Sequence, residues 1–141
     1  MSVILDTGAL YALFDADDRH HAAFSAFVQD YPGRLVVPVT VLSEIDYLLG
    51  VRLNQRAQED FLADVVDRVY TLEPVGLKDI KRAGELLAQY KDLQLGLVDT
   101  SIMAVAERLR VRDILTTDLR DFRAVTASFG AFRLLPFDAE T

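Results

Sequence analysis

Four acidic residues stand out because each lies beside apolar residues, where a charge is costly unless it is paired, hydrogen-bonded or bound to a metal. Asp6 ends the apolar run VILD, and Asp118 follows the apolar stretch ILTT. Glu44 lies within VTVLSEIDYLL, and Asp99 opens the helix-like segment LVDTSIMAVAERL. Together these positions predict one shared acidic cluster that holds a hard divalent cation.

A cluster of this composition is suited to the metal-assisted hydrolysis of phosphodiester bonds. Mg²⁺ prefers oxygen ligands, keeps several of its waters and is held by a few carboxylates. Such ions can activate water and stabilise the charge that develops on the phosphoryl group and the leaving oxygen. The four carboxylates carry about the charge that a pair of divalent ions neutralises, so one-metal and two-metal sites are both open alternatives.

The elements that must position these acids alternate between short apolar runs and helical patterns. The apolar runs predict strands at 3–6, 35–39, 69–72, 114–117 and 132–135. Apolar residues at helical spacing predict helices at 9–16, 20–30, 40–52, 55–67, 77–90 and 98–110. Thr40 is expected to be the N-cap of the third helix. Strands separated by helices imply right-handed crossovers, and therefore a three-layer α/β fold with a mostly parallel sheet of four to five strands.

This fold is expected to bring the acids to one edge of the sheet. In open parallel sheets, ligands bind beyond the carboxyl ends of the strands, where the strand order reverses. Asp6 and Asp118 lie at predicted strand ends. Asp99 lies at a predicted helix start, where the helix dipole favours a carboxylate.

Glu44 is placed by its position on a helical wheel. A wide apolar arc on its predicted helix is formed by Val41, Ile45, Leu48, Leu49 and Val51. At about 100° per residue, Glu44 falls within this arc, whereas Asp46 falls at its opposite margin. Glu44 is therefore expected to point inward and Asp46 more outward.

Length and composition restrict the class of protein. The 141 residues fit one domain, 1–141, and a hydrophobic content of 51% excludes disorder as the default interpretation. No apolar run is long enough to span a bilayer, and the N-terminus lacks the features of a signal peptide. There is no cysteine, and we expect a cytoplasmic protein. A net charge of -7 opposes broad adhesion to nucleic acid but does not exclude it as a substrate, because metal ions reverse the charge of a site.

The chain resembles the PIN-domain ribonucleases, and in particular the VapC toxins of type II toxin–antitoxin pairs. The resemblance lies in ILDTGALYALFDADDRHH, VLSEIDYLL, GLVDTSIMAVAERL and ILTTDLRDF, which cover nearly the whole chain in order. It implies a parallel-sheet PIN fold, dependence on Mg²⁺ or Mn²⁺, and endonucleolytic cleavage of RNA. It also implies a homodimer, inhibition by a cognate antitoxin protein, and no membrane partner.

The resemblance assigns the acidic quartet of that family to Asp6, Glu44, Asp99 and Asp118, with Asp121 as an alternative fourth acid. Asp6 and Asp99 would be the firmest metal ligands. Glu44 and Asp118 would bind the metal directly or through water, or orient the attacking water. Asp118 is preferred to Asp121 because it lies nearer the end of the strand.

Other residues near these motifs have weaker assignments. Thr7 and Thr117 adjoin the expected site and could supply hydroxyl groups to it. Asp92 is a further candidate acid near the Asp99 loop, although a surface role is expected for it, and Gly8 stands where relatives often carry a serine. The last acidic motif is accompanied by Arg108, Arg110, Arg112, Arg120 and Arg123. These arginines form either a solvated face or a phosphate-binding track.

The sequence also has features in common with other classes of protein. The triplet DTG at 6–8 occurs in aspartic proteases, but those enzymes are rich in β-structure, whereas helical patterns dominate here. A PIN-like module that binds RNA or protein without cutting it would keep the acidic cluster as a structural feature. Cleavage assays on purified protein distinguish this module from a nuclease.

Overall fold

The computed structural model of the protein describes residues 1–139 and is built on a parallel five-stranded sheet. Its strands are β1 Ser2–Leu5, β2 Arg34–Pro38, β3 Thr71–Glu73, β4 Asp113–Leu115, β5 Thr126–Ala127, β6 Gly130–Ala131 and β7 Arg133–Leu135. The order in the main sheet is β3-β2-β1-β4-β7, and β5 and β6 form a separate antiparallel hairpin. All five predicted strands are confirmed.

Strand β1 occupies the centre of the sheet. Ile4 pairs with Val36 of β2 on one side and with Ile114 of β4 on the other. The side chains of Val3, Ile4 and Leu5 are fully buried. A continuous apolar run is typical of a parallel strand covered by helices on both faces. The first polar residue after this run, Asp6, therefore lies at the edge of the core.

Helices cover both faces of the sheet in a three-layer α/β/α arrangement, which confirms the predicted fold class. They are α1 Thr7–Phe14, α2 His21–Asp30, α3 Val39–Arg52, α4 Gln55–Val66, α5 Leu77–Gln89, α6 Leu97–Leu109 and α7 Leu119–Ala124. Helix α6 is buried without interruption over residues 100–106. None of the helices in residues 1–139 has the length and apolar character needed to cross a membrane.

The structure differs from the predicted elements at three places. Helix α7 and the β5–β6 hairpin were not predicted, because elements of six and two residues are too short to show a clear periodicity. The prediction of Thr40 as an N-cap was wrong. Pro38 occupies the N-cap position of α3, and the Thr40 hydroxyl forms a hydrogen bond with Ser101 of α6. Thr40 therefore links two helices.

Candidate functional site

The predicted acids converge at the carboxyl edge of the sheet, where the strand order reverses between β1 and β4. The chain continues from β1 to β2 and β3 on one side, and later adds β4 and β7 on the other. Asp6 follows β1 directly, and Asp118 lies just beyond β4 at the N-cap of α7. A reversal of this kind leaves a crevice at the strand ends, where α/β proteins bind ligands.

Asp6 is held rigidly at the floor of this crevice. Its backbone N–H donates to the carbonyl oxygen of Leu115 at 3.0 Å, which extends the pairing of β1 with β4. Its Oδ1 accepts a hydrogen bond from the backbone N–H of Thr7 at 2.7 Å. Its Oδ2 accepts one from the Thr116 hydroxyl at 2.9 Å. With a residue exposure of 5%, the carboxylate has little freedom to move.

Thr116 is the site residue that the sequence reasoning missed. It is fully buried, and its hydroxyl donates to Asp6 while accepting a hydrogen bond from the backbone N–H of Asp118 at 2.9 Å. The sequence points instead to its half-buried neighbour Thr117 as a residue that could supply a hydroxyl group. Side chains alternate along an extended segment, so two consecutive threonines cannot face the same side. Because Ile114, Leu115 and Thr116 are all buried, this alternation alone did not identify Thr116 from the sequence.

Asp99, Asp118 and Asp121 form a close group of three carboxylates. One carboxylate oxygen from each residue lies within 4.8 Å of the others, and all three residues are half-buried. Asp99 is the third residue of α6, and the other two come from the start of α7. Oδ1 of Asp118 also accepts a hydrogen bond from the backbone N–H of Asp121 at 3.2 Å. The structure therefore brings both candidates for the fourth acid into one group.

The crowding of these carboxylates is visible in their pKa values. Burial, followed by the negative charges of Asp118 and Glu44, raises the pKa of Asp6 to about 6, although its hydrogen bonds oppose the shift. Burial and the neighbouring carboxylates, Asp6 first among them, raise the pKa of Asp99 to about 7. The pKa of Asp121 is raised by burial and by Asp118. The folded protein thus holds negative charges close together at an energetic cost.

Glu44 faces the cluster but is not buried among apolar side chains. Its charge acts on both Asp6 and Asp99, which places it at the rim of the same crevice. The predicted inward orientation was wrong, because Glu44 is exposed. The buried arc of the helix is narrower than the apolar arc of the sequence, because Val51, which flanks Glu44 on the wheel, has an exposure of 60%.

Three other residues singled out in the sequence, Asp92, Thr7 and Gly8, have different surroundings. Asp92 is exposed in the short 3-10 helix before α6, as expected. The Thr7 hydroxyl is buried and has no hydrogen-bond partner among residues 1–139, so Thr7 contributes its backbone N–H rather than its hydroxyl to Asp6. A Cβ atom at Gly8 would collide with the hydroxyl of Thr117, so a serine here would require that side chain to rotate.

Two of the five arginines near the last acidic motif have structural partners. Arg108 binds Glu73 at 2.9 Å and Asp79 at 3.0 Å, which ties the end of α6 to the start of α5. Arg123 binds Asp138 at 2.9 Å. Arg120 is exposed, and its charge acts on Asp121. The charges of Arg108 and Arg123 are therefore already compensated by carboxylates.

The chemistry of the donor set fits a hard divalent cation. The cluster offers only carboxylate oxygens, which suit Mg²⁺ and Mn²⁺ better than softer metals. No lysine or arginine within residues 1–139 forms an ion pair with Asp6, Asp99, Asp118 or Asp121. Protonation or a bound cation can therefore compensate these carboxylates, and a cation does so at a pH where they are ionised.

The bridging role of Thr116 leads to a first prediction. Thr116→Val keeps the volume of the side chain but leaves Oδ2 of Asp6 and the N–H of Asp118 without their partner. We expect the free energy of unfolding to fall by about 1–3 kcal/mol. The pKa of Asp6 should rise above about 6, because the Thr116 hydrogen bond lowers it. Chemical denaturation and carboxyl titration by NMR measure the two effects.

Thr117→Val is the matched control for this prediction. Thr117 is half-buried and makes neither of these hydrogen bonds. The free energy of unfolding of the variant should therefore change by less than about 0.5 kcal/mol. Equal stability losses in the two variants, with an unchanged titration of Asp6, would show that the bridge has no role.

Comparison with known proteins places this geometry in a family. The family model of the PIN domain matches residues 3–128. Ribonuclease VapC26 of Mycobacterium tuberculosis is 34% identical over 135 residues, which cover 95% of this chain and 100% of the relative.

Solved structures share the fold at lower sequence identity. The crystal structure of M. tuberculosis VapC20, a sarcin-ricin loop cleaving toxin, matches with a TM-score of 0.76 and 24% identity over 82% of this chain and 91% of that chain. A toxin–antitoxin complex from Klebsiella pneumoniae matches with a TM-score of 0.66 and 20% identity, over 87% of this chain and 92% of that chain. These similarities support the same three-layer architecture.

Proposed function

The chain belongs to the PIN-domain family, within its VapC-like branch, and from this premise we propose that it is a divalent-metal-dependent endoribonuclease. We propose further that it is the toxin of a toxin–antitoxin pair. The observation that carries the nuclease proposal is the group of Asp99, Asp118 and Asp121, whose oxygens lie within 4.8 Å of one another beside buried Asp6. The toxin proposal is supported by similarity to a protein named as a ribonuclease and to a chain solved in a toxin–antitoxin complex.

Five carboxylates line the crevice that would hold the metal, which we propose to be Mg²⁺ or Mn²⁺ bound by a few of them. They are Asp6, Glu44, Asp99, Asp118 and Asp121. The ion would supply positive charge that makes water more acidic and offsets the charge on the phosphate oxygens. Asp6, fixed by Thr116, and Asp99, fixed on α6, would be the most rigid ligands.

The residues of the chain have distinct tasks in the proposed hydrolysis. The oxygen of a water attacks phosphorus, the bond from phosphorus to the leaving oxygen breaks, and the water loses a proton while the leaving oxygen gains one. Glu44 is exposed at the rim of the crevice, and it would take up the proton of the water. Thr116 holds Asp6 and the start of α7 together through its two hydrogen bonds.

Cleavage of RNA by the purified protein tests the proposal. We expect total RNA to be cut in the presence of Mg²⁺ or Mn²⁺ and to remain intact when EDTA removes the metal. Restoring excess Mg²⁺ after EDTA should restore cleavage, which separates metal removal from damage to the protein. Intact RNA under every metal tested would instead favour a PIN-like module that binds RNA or protein without cutting it.

Three further proposals follow from membership of the family. The chain acts as a single domain, it forms a homodimer, and a cognate antitoxin protein inhibits it in the cytoplasm. Structural similarity to a toxin–antitoxin complex supports the antitoxin partner. A monomer in sedimentation experiments at micromolar concentration would contradict the homodimer.

A further inference from the structure

A cavity of about 310 Å³ opens beside the acidic cluster. Gly8, which lies two residues after Asp6, and Thr117, which precedes Asp118, both line it. The cavity therefore adjoins the crevice in which the proposed reaction takes place. Its volume lies at the lower end of the roughly 300–1,000 Å³ that is typical of ligand sites.

Two guanidinium groups give this cavity a charge opposite to that of the cluster. Arg19 and Arg52 line it, and neither forms an ion pair with a carboxylate within residues 1–139. The one carboxylate in the lining, Asp18, already accepts a hydrogen bond from the backbone N–H of His20 at 2.8 Å. In a chain of net charge -7, a net positive cavity next to an acidic cluster requires an explanation.

The packing of Arg52 orients its guanidinium group in advance. The group lies over the ring of Tyr11, with its central carbon 5.4 Å from the ring centroid. The Tyr11 hydroxyl donates to Oδ2 of Asp15 at 2.7 Å, which fixes the ring. A cation held over an aromatic face keeps its N–H groups free for an anion, and the planar fork of arginine suits the oxygens of phosphate.

Building on the proposed nuclease function, we propose that this cavity binds the nucleotide next to the scissile phosphate, with Arg52 and Arg19 holding its phosphate group. An RNA strand meets repulsion from the carboxylates wherever a metal does not shield them. Positive charge one step along the strand offsets this repulsion and sets the register of the strand. Arg52 and Arg19 are therefore positioning residues, and they act on whichever nucleotide sequence is bound.

The test is RNA binding by Asp6→Asn protein, which does not depend on cleavage. A short fluorescein-labelled single-stranded RNA is titrated with Asp6→Asn alone and with Arg52→Gln or Arg19→Gln added. We expect each added substitution to weaken binding about tenfold. The slope of log affinity against log salt should become shallower by about 0.7 for each lost phosphate contact. Arg52→Lys in place of Arg52→Gln should retain most of the salt slope of the Asp6→Asn protein, because lysine keeps the positive charge.

Arg34→Gln is the matched control, because Arg34 is exposed at the start of β2, on the opposite edge of the sheet. It should leave affinity and salt slope unchanged. Equal binding by the Arg52→Gln, Arg19→Gln and Arg34→Gln proteins would overturn the proposal, as would an absence of RNA binding by Asp6→Asn.

This experiment separates the subsite from the nuclease activity. Suppose that the protein without substitutions cuts RNA, while the Arg52→Gln and Arg19→Gln proteins bind RNA like the Arg34→Gln protein. The nuclease proposal then holds, and the proposal that the cavity binds a nucleotide is wrong. If the protein without substitutions does not cut RNA, but RNA binding still depends on Arg52, the nucleotide-binding proposal holds and the nuclease proposal is wrong. On the cleaving protein, Arg52→Gln should raise KM and leave kcat nearly unchanged.

Discussion

Replacing Asp99 by asparagine is expected to abolish RNA cleavage and to raise the melting temperature of the metal-free protein. Asp99 lies in the close group that it forms with Asp118 and Asp121, and it would be a metal ligand. Loss of several kcal/mol of transition-state stabilisation corresponds to a fall in rate of about 10³-fold or more. A pKa raised to about 7 by burial and neighbouring charges shows that the folded protein bears a cost for keeping this group ionised at neutral pH.

Asparagine removes this cost at nearly constant volume. Asp99 has no side-chain hydrogen-bond partner in residues 1–139 that the substitution would break. We expect a gain of about 1–3 kcal/mol in the free energy of unfolding at pH 8 without metal. The melting temperature should then rise by about 3–10 °C. Calorimetry in EDTA and a cleavage assay in Mg²⁺ measure the two effects.

Asp92→Asn makes the same chemical change outside the cluster. Asp92 is exposed in the 3-10 helix before α6, so both cleavage and melting temperature should stay as they are in the unsubstituted protein. Retained cleavage by Asp99→Asn would exclude Asp99 from the catalytic site. Lower stability of Asp99→Asn in EDTA would contradict the electrostatic account of the cluster.

The metal-free protein is expected to lose stability as the pH rises from about 4 to about 8. In the unfolded chain both Asp6 and Asp99 titrate near 3.8, whereas in the folded protein their pKa values are about 6 and about 7. Between these limits the folded state binds more protons than the unfolded state, so the free energy of unfolding falls with rising pH. Above the higher folded pKa the loss is complete, and it should amount to several kcal/mol.

Divalent metal should reverse this loss. Millimolar Mg²⁺ is expected to stabilise the protein strongly at pH 8 and weakly at pH 5, because protonated carboxyl groups do not bind it. Denaturation curves across pH 5–8.5, with EDTA or with Mg²⁺, measure the effect. In Asp99→Asn both the pH dependence and the response to Mg²⁺ should be smaller. A flat stability profile in EDTA would contradict the raised pKa values.

Local patterns were sufficient to predict most of the regular elements. The five sheet strands are short apolar runs, and burial on both faces makes such runs visible in a sequence. Six helices carry a repeated apolar face. Helix α7 escaped prediction because its first turn depends on the cap supplied by Asp118, and a helix of six residues shows little periodicity.

The error at Glu44 shows where a helical wheel stops being informative. The wheel ranks positions by residue type, but it does not say which apolar positions another element covers. In α3 only Val41, Ile45 and Leu49 are buried, while Val51 is exposed. Glu44 therefore lies at the exposed rim of the crevice. Its charge interacts with Asp6 and Asp99 there without the cost of full burial.

The sequence by itself determined the alternation of strands and helices, the parallel sheet and the identity of the acidic residues. These depend on periodicity and residue type, which are properties of short stretches of chain. Only the tertiary structure decided that Thr116 joins Asp6 to the start of α7, and that Asp118 and Asp121 belong to one group with Asp99. Distances between residues far apart in the chain arise when the sheet forms, and the pKa values of the acids depend on those distances.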